Sequence, residues 1–150
     1  NMRYGKWNAT TKELEEASDI AQAKEFISLK PKQFDELLAE GGSNMSGGQK
    51  QRLSIARAIV KKPDVYIFDD SFSALDYQTD ANLRARLRDE TLDATVLIVA
   101  QRVGTIMHAD KILVLNEGEV VGSGTHQELL KTCDVYYDIA SSQLSKEELA

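Results

Sequence analysis

The 150 residues carry a formal charge of −6, with 42% apolar and 28% charged side chains, the balance of a globular domain long enough to bury a core. The acidic sum argues against a nucleic-acid groove or an anionic membrane surface as the main partner. Cys133 is the single cysteine, which rules out an intramolecular disulfide and fits a reducing compartment; with no secretory leader and no apolar run near 18 residues, no segment is expected to span a membrane.

Residues 1–9 read as a leading loop or strand remnant. Thr10-Thr11-Lys12-Glu13 is a capping box, with Thr10 as N-cap and Glu13 reaching back. Leu14, Ala17 and Ala21 recur at helical spacing, which predicts an amphipathic helix over 11–23. A short helical segment, 23–29, ends before Pro31. Phe34, Leu37 and Leu38 mark another helical turn or two, and Glu40-Gly41-Gly42-Ser43 breaks the pattern. A helix follows over 49–60 and stops at Lys62-Pro63. From there short apolar runs (65–68, 95–100, 111–115 and 119–121) surround a helix at 79–88. Strand–helix–strand alternation predicts a parallel sheet, and the last two runs, joined by Asn116-Glu117-Gly118, an antiparallel hairpin at its edge. Thr125 to Glu128 is a second capping box, opening a helix through 130. Residues 135–143 read as helical and 145–150 as a polar helix or frayed end. Arg84, Arg86 and Arg88 read as a solvated helix face balanced by Asp89 and Glu90. His108 and His126 read as surface or helix-cap residues, and Cys133 as an ordinary packed or partly exposed thiol.

The most informative stretch begins at Ser46-Gly47-Gly48-Gln49, which opens a helix carrying Lys50, Arg52 and Arg57. Next comes the apolar run Val65-Tyr66-Ile67-Phe68, ending in Asp69-Asp70, and then Ser73-Ala74-Leu75-Asp76. Small residues at a helix start leave backbone N–H groups aimed at one point, which suits a phosphate. An apolar strand ending in Asp suits a metal at the C-terminal edge of a sheet. Singly, each piece has a plainer explanation: Ser46 as an N-cap with glycines for a tight turn, the Asp pair bonded to a turn, Asp76 capping the next helix. Their order and close spacing favour the functional reading.

The run resembles the signature loop, Walker B strand and D-loop of an ATP-binding cassette (ABC) nucleotide-binding domain of the exporter type. Asn1-Met2-Arg3-Tyr4-Gly5 is similar to the segment after that family's Q-loop. Leu97-Ile98-Val99-Ala100-Gln101-Arg102-Val103 resembles its switch strand, and Gly124-Thr125-His126-Gln127-Glu128-Leu129-Leu130 its C-terminal GTHxELL stretch. The resemblance covers all 150 residues but matches only the later part of such a domain, and no G-x-x-x-x-G-K-[ST] occurs. It implies an α/β, P-loop NTPase-like ABC ATPase fold that is incomplete: a mostly helical signature subdomain at 1–62, then an α/β part at 63–150 with the Walker B and switch strands of a parallel sheet, a hairpin and C-terminal helices.

By the same resemblance, Ser46, Gly47, Gly48 and Gln49 contact the γ-phosphate of an ATP held by the opposite subunit. Asp76 belongs to a loop that crosses the dimer interface, and Asp69 helps hold Mg²⁺, usually through water. Asp70 stands where the family carries a Glu that polarises the attacking water, and Gln101 where its switch carries a His. Asp is one methylene shorter, and a base about 1 Å out of place costs on the order of 10²-fold in rate. Gln can donate to a γ-phosphate but has no titrating proton. Both departures fall in one composite ATP site, whereas the signature, which serves the other, is intact. The pattern resembles the degenerate-site subunit of a heterodimeric bacterial ABC exporter: an ATP-binding subunit at the cytoplasmic face of the cell membrane, partnered by a transmembrane domain and a second nucleotide-binding domain, with no nucleic acid. Two other readings stay open: a non-catalytic, nucleotide-gated dimerisation module, and a soluble ABC ATPase of DNA repair or translation, disfavoured by the acidic charge. Without the Walker A lysine and its amides, the 150 residues alone are expected neither to bind nor to hydrolyse ATP, and to leave exposed strand edges prone to association.

Overall fold

In the computed structural model, which describes residues 1–145, 147 and 149, Thr10 opens the first helix as its sequence requires. Its hydroxyl accepts the Glu13 N–H at 3.3 Å, while the Glu13 carboxylate accepts the Thr10 N–H at 2.8 Å. The helix it starts, α1 (Thr11–Ile20), is shorter than expected. Gln22 takes a left-handed backbone, φ 55°, and turns the chain into α2 (Lys24–Ser28). Residues 33–35 form a single 3₁₀ turn, not the longer helical segment expected around Phe34–Leu38; Glu36 is already extended, and Leu37 is exposed. The leading residues also differ from expectation: Met2–Tyr4 is a 3₁₀ turn with Met2 buried, not a strand remnant.

Helix α3 (Gly47–Lys61) begins two residues before the expected position, because the cap at Ser46 is strong enough to carry two glycines in the first turn. It stops at Lys62, whose left-handed backbone (φ 49°) precedes Pro63. Then come β1 (Val65–Asp69), α4 (Tyr77–Glu90) and β2 (Thr95–Val99). The two strands pair in parallel, from Val65 opposite Thr95 to Asp69 opposite Val99, with α4 as the crossover. One face of β1 is core: Tyr66 and Phe68 are buried with Leu14 of α1, Ile55 and Ile59 of α3 and Leu83 of α4. Each such side chain contributes about 1.5–3 kcal/mol by leaving water. Val65, Ile67, Leu97 and Val99, on the other face of the pair, are each at least half exposed, unlike the doubly covered strands usual in parallel sheets.

Of the arginines of α4, Arg86 and Arg88 are exposed as a solvated face requires, whereas Arg84 is drawn partly inward, and the carboxylates that Arg84 and Arg86 meet are Asp80 and Asp19. Arg84 donates to Asp80, one turn back and buried, at 3.1 Å, and Arg86 reaches Asp19 of α1 at 2.5 Å. Glu90 pairs with Lys62. All these elements lie in one compact unit, Asn1–Val99.

A second unit, Ala100–Ala150, contains α5 (Val103–Ile106), β3 (Ile112–Asn116), β4 (Glu119–Gly124), α6 (His126–Thr132) and α7 (Asp134–Gln143). The hairpin turns on Glu117 and Gly118, both left-handed (φ 48° and 84°), the combination a two-residue type I′ turn needs. A register shift between Val114 and Leu115 leaves one extra residue on β4. The hairpin is a two-stranded sheet of its own, which corrects its expected place at the edge of the parallel sheet. Val103, Ile112, Val114, Leu129, Cys133, Tyr136 and Ala140 form its core. The second capping box holds, with the Thr125 N–H donating to Glu128 at 2.8 Å. His126 is not a surface residue: it is buried at the start of α6, with Nδ1 2.8 Å from the Tyr136 hydroxyl. The tail expected as a polar helix or frayed end includes Lys146, Glu148 and Ala150, which lie outside the described residues.

Candidate functional site

Ser46 sits at the head of α3 with an extended backbone, its hydroxyl accepting the Gln49 N–H at 3.2 Å while Gln49 Oε1 accepts the Ser46 N–H at 3.1 Å. This is a third capping box, built from the two polar residues that flank Gly47 and Gly48. The first-turn amides of the two glycines have no partner within the helix, and Ser46 and Gly47 are exposed. The helix start therefore presents a hydroxyl, approachable amides and the positive end of a fifteen-residue dipole. Just ahead of it, the Asn44 side chain accepts the Ala39 N–H at 3.2 Å and ties down the approach loop.

At the far end of β1, Asp69 is the last strand residue and is exposed. Among the described residues its carboxylate enters no ion pair, so the strand end offers an uncommitted anion. Asp70 follows in the left-handed region, φ 46°, with its N–H donated to the Val99 carbonyl at 3.0 Å. A turn through Ser73, Ala74 and Leu75 leads to Asp76, whose Oδ1 accepts the Thr79 N–H at 2.9 Å as the N-cap of α4. The Thr79 hydroxyl, then its backbone N–H, hold the Asp76 carboxyl below its ordinary value. The carboxylate is therefore bound to its own helix. This loop and the head of α3 are in direct contact: a Cβ on Gly48 would lie 3.0 Å from the Ala74 carbonyl oxygen. Gln101 belongs to the second unit, where its carbonyl accepts from Gln143, whose own Oε1 accepts the Val103 N–H.

The ABC transporter family model matches residues 5–73. YfiB of Bacillus subtilis, named an uncharacterized ABC transporter ATP-binding protein, is 45% identical over 147 residues, 98% of this chain and 25% of that protein. A likewise uncharacterized ABC transporter ATP-binding protein of Mycobacterium tuberculosis is 44% identical over 146 residues, 95% of this chain and 25% of its own length. Among solved structures, a bacterial Atm1-family ABC exporter with ATP bound superposes with a TM-score of 0.91 at 34% identity, over 97% of this chain and 26% of that one. The chain carries, at residues 5–73, a segment of the ABC transporter family. Its α/β fold is that of an ABC exporter's nucleotide-binding domain, and it spans about a quarter of the length of the curated relatives it matches.

Within this chain, the first unit brings Ser46–Gln49 of α3 together with the Asp70–Asp76 loop, and places Asp69 at the adjoining strand end. Sequence reasoning passed over Gln51, whose side chain joins α3 to that loop, and Arg52, which was counted only as part of a basic helix. Arg52 donates to the Gln22 carbonyl at 2.7 Å and lies 4.9 Å from the centre of the Phe26 ring, so it faces inward. A signal for Gln51 was present: it stands three residues after Gly48, on the helix face that a missing side chain leaves open to a neighbouring loop.

Proposed function

We propose that this chain is part of the ATP-binding subunit of an ABC exporter, which couples ATP binding and hydrolysis to movement of a substrate across a membrane. It lends Ser46, Gly47, Gly48 and Gln49 to an ATP held by a second, partner nucleotide-binding domain in a heterodimer. Its own half-site, with Asp69, Asp70 and Gln101, is degenerate. Residues 1–62 are read as the helical signature subdomain and 63–150 as the α/β part. The assembly works with a transmembrane domain at the cytoplasmic face of the membrane.

The observation that carries this reading is the start of α3, an exposed helix N-terminus with two glycine amides, an ideal receptor for a terminal phosphate. Asp69 has the chemistry for Mg²⁺: an exposed carboxylate at a strand end, engaged by no cation among the described residues. Bound there through water, the metal would offset charge on the phosphates. Asp70 would orient the attacking water from a shorter side chain than Glu provides, and Gln101 would donate a hydrogen bond without taking up a proton. ATP binding calls for a Walker A loop, and these 150 residues hold none, so the chain by itself is expected to show no hydrolysis.

The test is single-turnover ATP hydrolysis by the full-length protein assembled with its partner. Ser46→Arg, which fills the phosphate position, is expected to abolish hydrolysis at the partner's competent site. Ordinary turnover by a homodimer of the full-length protein, with Asp70 essential, would overturn the degenerate-site reading.

A further inference from the structure

Gln51 spends its whole side-chain amide on one loop. Its Nε2 donates to the Asp70 carbonyl at 3.2 Å and lies 3.0 Å from the Ser73 hydroxyl, and its Oε1 accepts the Ala74 N–H at 2.9 Å. The Ser73 hydroxyl itself donates to the Asp70 carbonyl at 3.0 Å, so the fork and the turn brace each other. A backbone N–H only donates and a carbonyl only accepts, which leaves one orientation for the amide. Gly48, one helical turn earlier on the same face, lets the Ala74 carbonyl approach the α3 backbone. The rest of α3 is fastened to the core without either residue, through Leu53, Ile55 and Ile59, and by Arg52 to the Gln22 carbonyl. The fork is therefore not needed to form the helix. What it fixes is the separation between the head of α3 and the loop that carries Asp70 and leads to Asp76.

We infer that Gln51 is a positioning residue, which locks the phosphate-facing head of α3 to the Asp70–Asp76 loop so that the two close on nucleotide as one body. This rests on the reading that Ser46–Gly48 engage an ATP held by a partner domain. Gln51 touches no reacting atom. Its loss would leave nucleotide bound by the partner's phosphate loop but let the helix head and the acidic loop arrive out of register, and misplacement by about 1 Å costs on the order of 10²-fold in rate.

The experiment is steady-state ATP hydrolysis by the full-length protein with its partner, comparing the native chain with Gln51→Leu, Gln51→Glu, Ser73→Ala, the Gln51→Leu/Ser73→Ala pair and Ser46→Arg, all normalised to folded complex. Gln51→Leu, which keeps the bulk and deletes all three bonds, is expected to lower kcat about tenfold or more with KM for ATP little changed. Gln51→Glu keeps the bond to the Ala74 N–H and loses both donors, so it should fall between Leu and the native chain. Ser73→Ala should cost less in the Gln51→Leu background than alone, because the two share one fork. A merely structural role would lower the amount of folded complex and leave kcat per complex the same in every Gln51 and Ser73 variant, which would overturn the inference. Native kcat in Gln51→Leu with activity abolished by Ser46→Arg would overturn the inference and leave the functional reading standing. Native kcat in both variants would overturn the two together.

Discussion

The Asp70 N–H donates to the Val99 carbonyl at 3.0 Å, tying the turn that follows β1 to the last residue of β2. The bond fixes Asp70 in the left-handed region, where Asp is one of the few non-glycine side chains that settle readily. Its carboxylate therefore starts from a defined backbone, and chain length alone decides how far it extends. In the full-length assembly, Asp70→Glu is expected to raise single-turnover hydrolysis at this half-site by about tenfold or more, since a methylene restores reach of about 1 Å. Adding Gln101→His should raise it further by supplying a group that titrates near neutrality. Rates unchanged in both variants, measured by rapid-quench release of phosphate, would show that neither residue limits this site.

Gly122 of β4 faces the start of α7 at very short range. A Cβ there would lie 2.8 Å from Cys133 Sγ and 3.0 Å from Leu129 Cδ2, in the core of the second unit. Gly122→Ala is expected to destabilise the fold by about 1–3 kcal/mol, the usual cost of overpacking. Cys133→Ala vacates the space that the new methyl needs. The double variant should accordingly be more stable than the sum of the single losses, a coupling that urea unfolding of the three variants measures. Simple additivity would mean that α6 and β4 move apart instead.

Arg52 ties α3 to the turn after α1. It donates to the Gln22 carbonyl and covers the Phe26 ring, while its Nε is buried without a described protein partner. Arg52→Ala is expected to cost about 2–3 kcal/mol in urea unfolding, from one charge-assisted bond, one cation–π contact and lost packing of the stem. Arg52→Lys should recover only part of this, because an ammonium keeps the charge but not the flat surface that lies on Phe26.

What could be read from the sequence was what neighbouring residues decide. Thr10 with Glu13 and Thr125 with Glu128 announced their helices, because cap and partner are three residues apart. Two strands of five residues followed Pro63 and Asp93–Ala94 much as alternation and length suggested. The signature and Walker B pieces stood out through order and spacing. Partners distant in sequence were hidden: Gln51 meets Asp70 nineteen positions on, Arg52 meets Gln22 thirty positions back, and Arg86 reaches Asp19 across sixty-seven. His126 looked like a surface group for the same reason, as its burial depends on Tyr136 of the next helix. The helical turn expected around Leu37 failed in the opposite way. Apolar spacing was present, but the extended backbone at Glu36 stops the turn before Leu37 can bury anything.

Glu13 offers the clearest acid titration among the described residues. The Lys6 ammonium, followed by the Thr10 N–H and hydroxyl, lowers its pKa from an ordinary value of 4.5 to about 2. A carboxylate held low in the fold binds its proton more weakly than in the unfolded chain. It therefore stabilises the folded state fully above pH 4.5, and the contribution is lost as pH falls from there through about 2. Carbon-detected NMR of the Glu13 carboxyl should show a midpoint near 2. Lys6→Met removes the largest cause and should move that midpoint upward toward 4.5, while the capping bonds from Thr10 hold it below the ordinary value. A midpoint unchanged by Lys6→Met would assign the whole effect to the cap. Both side chains are only partly covered, which adds one condition: raised salt should weaken the Lys6 contribution and leave that of Thr10 in place.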